Sequence, residues 1–178
     1  FVSKVETDIK NRHIDYVALR QSLPEARIRL VSGSDNIFCR FLKYSGYTVK
    51  SMSMNLSTSS LHGMNGNIEM DELTTSGIRL DTIRFNIVSD STSCTYNGQI
   101  RNSKTNPQYV FNTLFDGYVF DRGSGLNLSV FDAKNKLGIK MGATALLEEE
   151  GIRLHLLTDD IILGYRKFNA NDDNYLFL

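Results

Sequence analysis

Acidic side chains form the most obvious groups of chemically reactive residues in this sequence. They occur at positions 148–150, 159–160 and 172–173, each within a polar stretch typical of a turn. Paired carboxylates can perform glycosidase chemistry when the fold brings two of them together, but nothing in the sequence juxtaposes these clusters. Charge at such turns instead keeps strand ends soluble and discourages edge pairing. We therefore interpret the acidic clusters as turn residues.

Histidine and cysteine are too sparse to indicate a metal centre or a nucleophile. His13, His62 and His155 are isolated in sequence, and we expect His155 to be a solvent-facing strand residue. Cys39 and Cys94 lack the CxxC spacing of a zinc site. We expect both to be buried free thiols, with a single disulfide as the alternative.

Catalytic and cofactor motifs are missing as well. The sequence contains no GxSxG, P-loop, GxGxxG or HExxH motif. Residues 171–174 are rich in oxygen ligands but lack the alternation of a calcium loop, so a plain turn is favoured. We predict that the chain is not an enzyme and that it holds no cofactor and no metal.

Composition restricts the partners further. The 178 residues include 20 basic and 20 acidic side chains without a charge run, which argues against nucleic acid and against a polybasic membrane patch. No apolar run approaches the ~18 to 20 residues of a membrane helix. The abundance of Ser, Asn, Thr and Gly favours a β-rich secreted or periplasmic domain. Because the chain begins without Met and ends on an apolar, strand-like segment, we interpret it as part of a longer protein.

The stretch from 126 to 157 contains the strongest structural signal. Its apolar residues alternate strictly through three runs, which predicts three strands. Lys134-Asn135-Lys136 and residues 148–151 separate the runs and suit hairpin turns, so we expect an antiparallel meander with one apolar face. Polar or small residues alternate with the apolar ones: Asn127, Ser129, Gly138, Lys140, Gly142, Thr144, Arg153 and His155.

The first 46 residues have a different pattern. Apolar spacings of three and four between 5 and 22, followed by Pro24, predict a helix. Residues 27–31 alternate as a short strand, and a second helix is expected at 36–45, with Gly46 at its end. We predict one or two short helices in this segment and a strand meander from 47 to 178, within a single β-rich domain.

Strand patterns also fill the middle of the chain, at 49–57, 66–73, 78–88, 94–100 and 109–115, with a loop at 102–107. The apolar phase slips by one at Asp81-Thr82, which predicts a β-bulge. Three Asx-Gly pairs, at Gly66, Gly98 and Gly117, stand between apolar residues. They suit tight hairpins or, as we favour for Gly117, glycines inside strands of a curved sheet.

Four segments of the chain resemble one known family. They are GIRLDTIRFNIVSD (77–90), YNGQIRNSKTN (96–106), FDAKNKLGIKMG (131–142) and ILGYRKFNANDDNYLFL (162–178). Together with LPEARIRLVSGSDNIFCRFL (23–42), they resemble the TamB, or translocation and assembly module, proteins of Gram-negative bacteria. These belong to the AsmA-like, bridge-forming lipid-transfer group. The most specific piece is the YRxFxxNxDNY-type ending at 165–175.

The resemblance implies a long trough of curved β-sheet with an apolar lining. Such proteins are anchored in the inner membrane and cross the periplasm, so this chain would be an internal, soluble section without the anchor. The implied partners are phospholipid acyl chains, with nascent outer-membrane β-barrels or their assembly machinery as the other class. The family has no catalytic residues to transfer.

Alternation and resemblance together predict an open groove, whose lining we expect to include Ile68, Met70, Phe85, Ile87, Ile100, Phe111, Phe115, Leu126, Leu128, Val130, Leu137, Ile139, Met141, Ile152, Leu154 and Leu156. The competing hypothesis is a closed β-sandwich with a structural or adhesive role and no lipid cargo. Alternation alone does not distinguish the two.

Overall fold

The computed structural model describes residues 2–10, 15–102 and 110–178. Within these ranges the chain forms three short helices and twelve strands. Their bounds are α1 Val2–Lys10, α2 Tyr16–Gln21, β1 Ala26–Ser32, α3 Ile37–Tyr44, β2 Ser51–Ser59, β3 Gly63–Thr75, β4 Ile78–Ser89, β5 Ser93–Asn102, β6 Phe111–Phe120, β7 Gly123–Asp132, β8 Leu137–Glu148, β9 Gly151–Leu156, β10 Ile161–Leu163, β11 Arg166–Phe168 and β12 Tyr175–Phe177. The predicted mainly-β fold is confirmed.

Side-chain caps define the helices at the start of the chain. Asp15 accepts a hydrogen bond from the Ala18 amide at the start of α2, and Asn36 accepts one from the Cys39 amide at the start of α3. Gly46, at φ 83°, follows the end of α3 as predicted. The first predicted helix corresponds to α1 and α2, which lie on either side of the undescribed residues 11–14.

All twelve strands belong to one antiparallel sheet. Strands β1 to β8 pair in sequence order, each with its neighbour along the chain. Strand β8 then pairs with β9 through residues 143–148 and with β10 through Ile139 and Lys140. Strand β12 adds to β9, and β11 adds to β10. This is the predicted meander, and its first and last strands do not pair with each other to close a barrel.

Irregularities in the register occur at two places. The pairing of β4 with β5 shifts between Leu80 and Thr82, which confirms the bulge predicted from the phase slip. A second shift, between Val130 and Phe131 where β7 pairs with β8, was not predicted. Both lie near strand ends, so the central register is continuous.

The three Asx-Gly glycines all lie inside strands. Gly66 is in β3, Gly98 in β5 and Gly117 in β6, so the hairpin interpretation is wrong and the in-strand interpretation is correct. The predicted loop at 102–107 and the predicted strand position Tyr109 fall mostly on residues 103–109, which lie outside the described residues.

The sheet has little enclosed core. No side chain among the described residues is fully buried, and the buried apolar residues are only Tyr16, Cys39, Val49 and Ile161. The accessible surface is 11757 Å², whereas a compact monomer of this mass exposes about 8,700 Å². The excess follows from one open sheet whose faces no second layer covers, which is not the architecture of a sandwich. None of the described helices has the length and apolarity to cross a membrane.

Candidate functional site

One face of the sheet is apolar across nine successive strands. Residues paired across an antiparallel sheet point to the same side, so the register identifies this surface, which we call the apolar face. Its central row joins Leu30, Met54, Ile68, Phe85, Gly98, Phe115, Leu128 and Met141. The row on one side of it contains Met70, Ile83, Ile100, Val130 and Ile139. The row on the other side contains Ile87, Tyr96, Leu126, Ala143 and Leu156.

No charged side chain lies in these three rows. The charged residues of the regular strand segments alternate with these apolar residues and therefore point to the opposite side of the sheet. Examples are Glu69, which pairs with Arg84, and Lys140, which pairs with Ser129. We call this second surface the polar face. The segregation is complete along the middle of each strand, and Glu72 and Asp81 lie at the register irregularities near the strand ends.

Aromatic rings fill the centre of the apolar face. The ring centroid of Phe85 lies 6.3 Å from those of both Tyr96 and Phe115. The rings of Phe115 and Tyr96 occupy the positions that side chains at Gly98 and Gly117 would need. Glycine is therefore required at both positions, because a Cβ at either would overlap an aromatic ring. Burial raises the pKa of the Tyr96 hydroxyl.

Strands β7 and β8 contain an exposed section of the apolar face. Leu126 is 45% exposed, Ile139 36% and Met141 37%. Large apolar side chains on three neighbouring positions are thus accessible from one side while their strands are paired on both edges. This section is open to an apolar ligand.

Helix α2 lies against one end of the sheet. The Tyr16 hydroxyl donates a hydrogen bond of 2.8 Å to the Ser93 carbonyl, and burial raises its pKa. The Arg20 guanidinium donates to the carbonyls of Ser60 and Leu61 in the turn between β2 and β3. These contacts hold α2 at the turns, where it leaves the rows of the apolar face uncovered.

Fifteen of the sixteen predicted lining residues occupy strand positions whose side chains point to the apolar face. Leu137 is the exception, because the unpredicted register shift pairs it with Phe131 while Ile139 pairs with Val130. Phe111 is at the end of β6, opposite Asp132. The sequence list also omitted members of the face that the same alternation would have found, among them Ile28, Leu30, Met52, Met54, Leu56, Ile83 and Tyr96.

The polar face is partly covered near β8. Tyr165 donates a hydrogen bond of 2.9 Å to Asp132, and the Lys136 ammonium lies 4.7 Å from the centre of its ring. The pKa of Asp132 is lowered, chiefly by the Lys136 amide and then by the Tyr165 hydroxyl. Asp160 forms ion pairs with Lys140 and Lys167. Tyr165, between β10 and β11, therefore lies against the polar side of Gly138, while β10 itself pairs with the edge of β8.

The chemically reactive residues are dispersed, as their sequence positions suggest. His155 Nε2 lies 3.1 Å from the Asp172 carbonyl oxygen, and the structure brings no group of three metal-binding side chains together within its described ranges. The acidic clusters at 149–150, 159–160 and 172–173 all lie at turns. Both cysteines are free, but Cys94 is half-buried rather than buried.

Comparison of the chain with protein-family models, with curated proteins and with solved structures gave no match. The family resemblance seen in the sequence therefore remains a hypothesis. What the structure contributes is a long, uncharged, solvent-accessible apolar face, backed by a polar one.

Proposed function

We propose that this chain is a periplasmic section of a TamB-like trough, whose apolar face gives phospholipid acyl chains a path between the inner and outer membranes. The observation that carries the proposal is the uncharged apolar face running from β1 to β9 without a second layer over it. A surface of this kind is unfavourable in water unless an apolar ligand covers it.

The dimensions of the face suit acyl chains. Nine strands spaced about 4.8 Å apart span about 38 Å. An acyl chain in a bilayer occupies one leaflet, about 15 Å of a hydrocarbon core about 30 Å thick. The face is therefore long enough for more than one chain in sequence, as a path requires.

The chemistry of the face suits transfer rather than tight storage. Each CH₂ group removed from water contributes about 0.8 kcal/mol wherever it lies on an apolar surface. The central rows offer aliphatic and aromatic side chains at nearly every position, so a chain can shift along them without breaking a specific contact. The same surface could hold apolar segments of nascent outer-membrane β-barrels, which is the second role that the resemblance implies.

Photo-crosslinking at two adjacent positions tests the proposal. Leu126 and Asn127 are both exposed, but they lie on opposite faces of β7. We expect a photoreactive amino acid at Leu126 of the full-length protein to capture phospholipid in cells, and the same residue at Asn127 to capture none. Since both side chains reach solvent, accessibility does not explain such a difference.

Two results would count against a lipid path. Equal lipid capture at the two positions would show that the faces are not distinguished by lipid. Capture of protein alone at Leu126, in the form of unfolded outer-membrane β-barrels, would favour the assembly role over lipid transport.

A further inference from the structure

We propose that the polar face binds a linear, uncharged glycan along a row of side-chain amides. This site lies on the opposite side of the sheet from the lipid path and does not depend on it. The row, which we call the amide row, crosses six strands through direct cross-strand pairs and consists of five amides and one carboxylate: Asn55, Asn67, Asn86, Asn97, Asp116 and Asn127. With strands about 4.8 Å apart, its six members extend over about 24 Å.

The side chains of this amide row are largely free to bind a ligand. Asn127 donates a hydrogen bond of 2.9 Å to Asp116 at one end of the row. Among the described residues, the side chains of Asn67, Asn86 and Asn97 make no hydrogen bond. Each amide offers two donor hydrogens and an acceptor oxygen, and a sugar hydroxyl can be donor or acceptor in turn.

Local folding preferences do not account for the amide row. Asparagine is depleted in strands, where Thr, Val or Tyr would be more favourable. Nevertheless, four asparagines on four adjacent strands stand directly opposite one another at exposed or half-exposed positions. Residues that lower the stability of an element are typical of positions retained for binding.

A shallow cavity of about 410 Å³ lies along the row. On the polar face its two walls are the amide row and the neighbouring row of Glu69, Arg84, Gln99 and Leu114. Glu69 and Arg84 have opposite charges and stand opposite each other in the register, so with Asp116 the lining has a net formal charge of only −1. This small net charge favours an uncharged ligand over a phosphate-rich or strongly basic one.

An aromatic side chain next to the row provides a stacking surface. Tyr118 is two residues from Asp116 on the same face, and it is 37% exposed. Its ring lies over Gly125, because a Cβ at that glycine would stand 2.5 to 2.8 Å from the ring and hydroxyl atoms. The stacked ring of Phe120, 5.8 Å away, holds it in place. A ring lying against the sheet exposes its outer surface to the apolar C–H face of a sugar.

The spacing of the row, with one side chain per strand over about 24 Å, selects among glycans. A β-1,4-linked chain is an extended ribbon that can follow such a row, whereas an α-1,4-linked chain curls away from it. Isothermal titration calorimetry of the 178-residue chain with cellohexaose, and with maltohexaose for comparison, measures this preference. We expect heat of binding with the first sugar and none with the second.

A double variant tests the amides without weakening the fold. Asn86→Thr/Asn97→Thr replaces two amides by a better strand former, so its melting temperature should equal or exceed that of the wild type. We expect its affinity for cellohexaose to fall about 30-fold, the loss of two ordinary hydrogen bonds. Ser129→Thr, on the same face but outside the row, should bind as the wild type does.

Chemical-shift mapping of the wild type keeps the test independent of any variant. Shifts on adding cellohexaose should concentrate at the amide row and at Tyr118. The absence of binding to cellohexaose, undiminished affinity in the double variant, or shifts confined to the apolar face would each overturn the proposal. None of these results bears on phospholipid capture at Leu126.

Discussion

Introducing a single negative charge on the apolar face tests whether this face is an open path or is covered by protein. Ile139 lies on β8, where it pairs with Val130 on one side and with Leu163 on the other. Its side chain is 36% exposed. The substitution Ile139→Asp places a carboxylate where the structure leaves access to water but where an acyl chain would have to pass.

The cost to folding follows from this exposure. Full burial of an isoleucine side chain contributes about 1.5–3 kcal/mol, of which roughly two thirds, about 1–2 kcal/mol, applies to a residue that is 36% exposed. The lower strand propensity of Asp adds up to about 1 kcal/mol. A total of about 1–3 kcal/mol is below the stability of about 5–15 kcal/mol expected for a domain. We therefore expect the variant to fold.

The effect on function should be larger. An acyl chain that covers the substituted position in Ile139→Asp would bury an unpaired carboxylate, which costs several kcal/mol and blocks passage. The measurements are the melting temperature, the amount of phospholipid that copurifies with the full-length protein, and the detergent sensitivity of cells that depend on it. Ser129→Asp is the matched control, because it places the same charge on the polar face, opposite Lys140. We expect it to be fully active.

Two outcomes would refute this reasoning. If Ile139→Asp does not fold while Ser129→Asp does, the position is enclosed in the full-length protein and the face is not an open path. If the variant is folded, retains its phospholipid and protects cells from detergent, acyl chains do not pass over Ile139.

Further predictions concern a glycine and a carboxylate. Gly98→Ala should lower the free energy of unfolding, measured by urea denaturation, by about 1–3 kcal/mol, because the new Cβ overlaps the Phe115 ring and stands 2.7 Å from the Arg84 carbonyl oxygen. Gly33→Ala is the control and should leave the free energy of unfolding unchanged, because a Cβ at that position has no atom within 4 Å. Asp132→Asn should lower the melting temperature at neutral pH. The wild-type pKa is depressed, so its stabilising effect is present above the unfolded value of about 3.9 and is lost as the pH falls through the folded pKa. The two proteins should therefore converge in acid, and a pH-independent difference would show that charge is not the cause.

The alternation of apolar and polar residues predicted the two faces of the sheet, because successive side chains of a strand point to opposite faces whatever the strand pairs with. It placed Leu126, Ile139 and Leu154 on one side, and the slip at Asp81 revealed a bulge. It did not reveal the shift that displaces Leu137, since Gly138 carries no side chain to break the pattern. The short strands β10 and β11 were also missed, because three residues are too few to show a period, whereas β12 lies in the strand-like segment at the end of the chain.

The amide row shows a feature that alternation within single strands does not predict. Each asparagine is an ordinary polar residue in its own strand, and only the register of five successive strand pairs places the six side chains in one line. The same holds for the aromatic rings over Gly98 and Gly117, since the sequence distances between ring and glycine are set by hairpin lengths. Features built across strands become visible only when the pairing is known.

An open sheet of this kind must obtain its stability within its own layer. Cross-strand neighbours contribute roughly 0.2–1 kcal/mol per pair, and eight consecutive strand pairings supply many such contacts on each face. A second layer on the apolar face would add stability by burying Leu126, Ile139 and Met141, but it would also remove the surface that an apolar ligand can reach. A ligand that covers these residues binds the folded state alone and stabilises it by mass action. The exposure of the face is therefore a cost to the empty protein that the bound ligand offsets, which is why folding and the proposed transport depend on the same residues.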